Sequence, residues 1–151
     1  LRSDLETLSR WYPNSVEIRA HLAEHYYNAG LITTALRTWE ELGEQFPFNS
    51  DVHLGMGRCY RALDQFDESL RAFRRALDLA PEDPRVYKEL ENLFGQSESH
   101  VEYLGLLKRR LLRDRYNIQL LKEAAHAARK EGEIQTAEEY QQRIEQIRRS
   151  Q

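Results

Sequence analysis

The chain has 151 residues, 40% of them apolar and 31% charged, and a formal net charge of −3, which suits one ordinary, helix-rich globular domain rather than a disordered chain. No apolar run approaches the ~18 residues of a membrane span, so no membrane insertion is expected, and the first residues lack the pattern of a secretory leader. Cys59 is the only cysteine, which excludes an internal disulfide and favours a reducing, cytoplasmic setting.

In chain order, residues 1–10 read as a leading helix. Helix pairs follow near 16–46, 50–79, 84–114 and 117–149. In the second pair, Met56, Gly57 and Tyr60 mark one stripe of a helix over 50–63. Phe66, Leu70, Phe73 and Leu77 mark one face of its partner over 66–79, and the turn between them is short, Leu63 to Gln65. Asp83 followed by Pro84 is a helix start, a capping side chain and then a residue whose missing N–H is not needed there. Ser99 and Glu102 fit a capping box before a helix running to about Asp114. The last helix, over 133–149, carries the apolar stripe Ala137, Tyr140, Ile144 and Ile147 with a charged remainder.

One period runs through these elements. Pro13, Pro47 and Pro81 stand 34 residues apart, as do Tyr26, Tyr60, Phe94 and Ala128. Ala35, Ser69, Tyr103 and Ala137 form a third column, and Trp39, Phe73 and Leu107 a fourth. Small residues let two helices approach, aromatic ones fill the layer between pairs, and a pair that cannot bury both faces must stack on its neighbours.

The period and its residues resemble the tetratricopeptide repeat (TPR) family. Residues 50–83 carry the pattern through His53, Met56-Gly57, Tyr60, Ser69, Phe73, Ala76 and Pro81. Residues 16–49 carry it through Leu22-Ala23, Tyr26, Ala35, Trp39 and Pro47, and residues 118–151 more loosely through Ala124-Ala125, Gly132 and Ala137. The resemblance implies an all-α fold: a right-handed α-solenoid of antiparallel helix pairs, one TPR-like superhelix over residues 1–151. Residues 1–13 would be the second helix of a preceding repeat, since Leu5 lies 34 before Trp39, and the chain reads as a fragment of a longer protein. Residues 16–49 and 50–83 are repeats, 84–117 a degenerate repeat and 118–151 a terminal one. The degenerate repeat has Glu91 and Tyr103 where small residues are expected, Arg110 in place of Ala and Arg115 in place of Pro, so a wider crossing of its helices is expected.

His21, Glu24 and His25 spell H-x-x-E-H, a zinc-peptidase pattern with two histidines on one helix face. The 34-residue register places His25 in a column with Cys59, Leu93 and Ala127, a packing position, and puts His21 beside the inner groove. A third ligand such as Glu98 or Glu102 would lie two repeats away, roughly 20 Å for layers of 8–10 Å, against the ~2 Å that zinc needs. No cofactor or metal is expected. Nor does any nucleophile elbow or phosphate loop appear, so the chain does not read as an enzyme. The run KRRLLRDR over 108–115 has the charge of a nucleic-acid patch, but Leu111 and Leu112 read as a helix core stripe and the arginines as a solvated face. Nucleic acid is not the expected partner.

In the TPR family the first helix of each pair lines a concave groove. The resemblance therefore implies a peptide-binding set of Tyr27, Asn28, Leu54, Arg58, Arg61, Arg85, Lys88, Asn92, Lys122, His126 and Arg129. Glu17 and Glu24 make its first part acidic, and Arg58, Arg61, Arg85, Lys88, Lys122 and Arg129 make the rest basic. Like charges facing one cavity favour an anion, so the expected ligand is an acidic peptide or protein segment. The carboxylate clamp by which some TPR proteins hold chaperone tails is missing: Ala20, Glu24 and Gly55 occupy its first three places and Glu89 its fifth. The expected role is a scaffold or adaptor. Self-association, and service as the regulatory arm of a larger enzyme, are the alternatives.

Overall fold

The computed structural model describes residues 2–96 and 100–150. Their secondary structure is helical throughout: α1 (Arg2–Trp11), α2 (Val16–Asn28), α3 (Ile32–Gln45), α4 (Ser50–Ala62), α5 (Phe66–Leu79), α6 (Pro84–Gln96), α7 (His100–Arg113), α8 (Ile118–Lys130) and α9 (Ile134–Arg149). The expected leading helix and four pairs are thus all found, as is the helix start at Pro84. The Ser99 capping box lies outside the described residues.

Two recurring devices set the helix ends. The first helix of every pair begins behind a short polar side chain, and these residues stand one period apart. Ser15 accepts from the Ile18 N–H at 3.3 Å, Asn49 from Asp51 at 3.0 Å, Asp83 from Arg85 at 2.9 Å and Asn117 from Leu120 at 2.9 Å. Each satisfies a donor that the first helical turn leaves without a partner. Three of the turns inside pairs close in one way. Leu31, Gln65 and Glu133 donate back to the carbonyls of Tyr26, Tyr60 and Ala128 at 2.9 Å, while Gly30, Asp64 and Gly132 donate to those of Tyr27, Arg61 and Arg129. This pair of hydrogen bonds needs a left-handed residue just past the helix; Gly30, Asp64 and Gly132 have φ of 78°, 58° and 79°. The second helices α3, α5 and α9 then start with no side-chain cap, their entry being fixed by the turn itself.

The chain divides into two compact units, residues 1–80 and 81–151. In the first, each helix packs on its chain neighbours, and α2 also meets α4. Ala23, Ala35, Trp39, Leu42, Val52 and Cys59 are all nearly or fully buried. Two glycines of α4 make room for aromatic rings on both sides: a Cβ at Gly55 would overlap the Trp39 indole, and one at Gly57 would stand 2.5 Å from the Phe73 ring. Ser69 adds a 2.8 Å bond to the buried Gly57 carbonyl. His25 is half-buried and His21 exposed. Burial, with the Glu24 charge acting in the same direction, pushes the Cys59 thiol up to about 12, as expected of a core thiol.

In the second unit α6 packs on α7, α7 on α8 and α8 on α9. Among the described residues, α6 and α7 approach each other along less of their length than the helices of the other pairs. The reason is visible at Tyr103, which is 2% exposed. Its ring lies 5.7 Å from that of Phe94 and its hydroxyl donates to the Tyr87 carbonyl at 3.2 Å. A phenol thus fills the space that Ala35, Ser69 and Ala137 leave closed in their pairs. The terminal α9 buries Ala137 and Ile144, with Tyr140 and Ile147 half-covered. One expectation fails: Leu111 is 5% exposed but Leu112 is 79% exposed. Residues 111 and 112 are a 100° step apart on the helix, and α7 has only one covered side there.

Candidate functional site

The sequence-assigned groove residues lie on the first helices, α2 and α4 in the first unit and α6 and α8 in the second. In the first unit the contact between α2 and α4 carries a compact cluster. Arg58 sits one period after Glu24 and donates to both its carboxylate oxygens, at 3.0 and 3.2 Å. The same guanidinium lies 4.9 Å above the Tyr27 ring. Cation and ring attract through the quadrupole of the aromatic face, and the carboxylate adds a charge-assisted contact to Nη1. Asn28 is exposed beside them and Arg61 is half-buried.

Leu54 departs from its expected place. It is 8% exposed and belongs to the core rather than to an open apolar anchor, because α4 packs on both sides and leaves little of its surface free. The expected row of uncompensated cations is also revised. Arg58 has its counter-ion in Glu24, and Arg85 folds back on Asp83, with Nη2 at 2.7 Å and Nε at 3.0–3.1 Å. That contact holds the Asp83 carboxyl below its ordinary value.

In the second unit α6 and α8 are tied through Glu91, which accepts from Lys130 and lies 3.2 Å from His126 Nε2. Partial burial alone would raise the Glu91 carboxyl, but the Lys130 bond and charge and the nearby His126 outweigh it and the group ends below its ordinary value. In the sequence Glu91 reads only as a poor fit to a small-residue position; its pairing with residues 35 and 39 positions later has no local signature. Around this tie, Lys88, Asn92, Lys122 and Arg129 are exposed. Lys88 and Lys122 stand one period apart, as do Asn92 and His126, so α6 and α8 present matching rows. Among the described residues Lys88, Lys122 and Arg129 make no ion pair. Glu123, half-buried between these rows, is raised by burial despite a 2.8 Å bond from Gln119.

No group of three or more His, Cys, Asp or Glu side chains that could hold a metal occurs among the described residues, and no described helix is long and apolar enough to cross a membrane.

Comparison with known proteins gives consistent relations. Residues 50–83 match the tetratricopeptide repeat model. The chain is 31% identical over 122 residues to the peroxisomal targeting signal receptor of Eremothecium gossypii, a match covering 74% of this chain and 21% of that protein. It is 39% identical over 62 residues to cell division cycle protein 27 homolog A of Arabidopsis thaliana, covering 37% of this chain and 9% of the relative. The chain thus spans a small part of either relative's length. Among solved structures it is similar to YrrB, described as a TPR protein with an unusual peptide-binding site, with TM-score 0.66 at 14% identity, covering 97% of this chain and 76% of that one. The solved structure of MamA gives a TM-score of 0.64 at 15% identity, over 99% of this chain and 87% of the other.

Proposed function

Because this chain belongs to the tetratricopeptide repeat family and has its scaffold architecture, we propose that it is a non-enzymatic adaptor that takes an acidic segment of a partner protein on the first-helix face of residues 81–151. The observation that carries this reading is the exposed row of Lys88, Lys122 and Arg129, set around Asn92 and His126 and without internal counter-ions among the described residues. Cations in such a row repel one another unless an anionic ligand enters, and the amide and imidazole between them supply directional bonds. The relation to a targeting-signal receptor supports a peptide-like ligand. In residues 1–80, Tyr27, Asn28, Arg58 and Arg61 form a second contact surface. Arg58 contributes direction there more than net charge, since Glu24 already balances it.

Selection of a displayed library of random 16-residue peptides on the whole chain tests the proposal. The retained peptides should be rich in Asp and Glu, and the double variant Lys88→Glu, Lys122→Glu should bind them about tenfold more weakly or worse, since each reversal turns an attraction into a repulsion. Affinity should fall as salt rises. The double variant Arg148→Glu, Arg149→Glu on the exposed end of α9 is the control. Peptides without acidic bias, or equal loss in the control, would overturn the assignment.

A further inference from the structure

A cleft of about 520 Å³ lies between the second helices α7 and α9, away from the first-helix rows. Leu111 forms its buried floor. Leu112 and Tyr116, 79% and 71% exposed, and the half-buried Tyr140 form its walls. Lys108, Arg115 and Arg143 stand at its rim. Arg143 is held in place, its Nη2 donating to the Arg115 carbonyl at 2.7 Å and its guanidinium 6.0 Å from the Tyr140 ring. Lys108 pairs with Glu133 at 2.7 Å, which leaves the rim with a surplus of positive charge.

Single exposed apolar residues are ordinary on protein surfaces; a clustered set around a concavity is not. The repeat register supplies an independent contrast. At the position of Leu112 the other repeats carry Glu44, Asp78 and Gln146. Val101, also 71% exposed and three turns earlier on the same face of α7, corresponds to Thr33, Asp67 and Gln135. The third repeat is therefore apolar on a face that the same fold keeps polar elsewhere. Packing between pairs does not require this, because the side chains remain exposed.

We propose that this second-helix face is a further docking site, taking a short acidic segment of a partner protein that inserts one bulky apolar side chain between Leu112, Tyr116 and Tyr140. The concavity is large enough to take a bulky side chain together with part of its flanking backbone, which suits an inserted segment better than a flat lipid surface. The cationic rim selects acidic residues flanking that anchor. The site is separate from the Lys88–Lys122 row and does not depend on it.

The test uses the same displayed 16-residue library on the whole chain, with counter-selection against Leu112→Asp and, separately, Tyr116→Ser. Both side chains are exposed, so the variants should keep the wild-type circular dichroism. Peptides lost on both variants should carry a Leu, Phe or Trp flanked by Asp or Glu. In fluorescence anisotropy the best of them should bind Leu112→Asp at least about tenfold more weakly, should lose affinity on Arg115→Glu, and should bind the Lys88→Glu, Lys122→Glu variant as tightly as the wild type. The proposal is overturned if no peptide distinguishes Leu112→Asp from wild type, or if those that do lack the apolar anchor. It also falls if the variant instead abolishes co-sedimentation with vesicles containing phosphatidylserine, or abolishes a concentration-dependent mass in light scattering, which would assign the face to a membrane or to a second copy.

Discussion

Asp64 holds a φ of 58° at the turn where Gly30 and Gly132 hold 78° and 79°, and a Cβ makes that conformation costly. Asp64→Gly should therefore stabilise the chain, by up to about 1 kcal/mol because aspartate tolerates the left-handed region better than most residues. Gly30→Ala should destabilise by about 1 kcal/mol; thermal melting followed by circular dichroism checks both signs. Gly55 belongs to a different case. It is a close-approach glycine under the Trp39 indole, and Gly55→Ala should cost about 1–3 kcal/mol by overpacking. Glu91 shows how charge enters stability. Its folded carboxyl lies below the ordinary value of 4.5 because the Lys130 and His126 interactions outweigh burial. A depressed carboxylate contributes stability that is present above its unfolded pKa and is lost as pH falls through the folded value. Thermal melts of Glu91→Gln should therefore lose less stability than wild type on acidification below about 4.5, by up to about 1 kcal/mol given the partial exposure of the pair.

Among the elements, α8 has the most buried of the four first-helix caps. Asn117 is 3% exposed, accepts from the Leu120 N–H and donates to the Pro81 carbonyl at 3.2 Å. Asn117→Ala should cost about 1–2 kcal/mol in urea unfolding, and Asn117→Asp, which keeps the capping acceptor but sets a second carboxylate against Asp114 at 2.9 Å, should not rescue it. The less buried cap Ser15 should be the less sensitive site. The column Ser15, Asn49, Asp83 and Asn117 is legible in the sequence as polar residues one period apart, yet only Asp83 declares its role there, because Pro84 follows it. The third pair makes the opposite point. Tyr103 was legible as a departure, but that it would be fully buried against Phe94 follows only from where α6 and α7 come to rest.

For the molecule as a whole, the acidic-segment contact proposed for the first helices rests on rows of side chains related by the repeat. Reversing Lys88 and Lys122 removes one period-related pair and should weaken an acidic ligand strongly. Reversing Arg58 alone should act differently: it removes the partner of Glu24 and places two carboxylates together across α2 and α4. Arg58→Glu should thus lower the melting temperature as well as affect binding, by roughly 2–4 °C for each kcal/mol lost at this chain length, whereas Lys88→Glu should leave melting nearly unchanged.

The sequence by itself determined the helical fold, the 34-residue register, the helix pairs and the family, because each rests on local propensity and on a spacing that recurs along the chain. It also determined which helices carry the candidate groove residues. Only the tertiary structure decided which of those residues are available. Leu54 went to the core and Arg58 to Glu24, while Leu112 stayed outside, since burial and long-range pairing depend on which surfaces neighbouring helices happen to cover. A period fixes the direction a side chain takes from its own helix; the helix packed beside it decides whether that direction meets water, charge or another side chain.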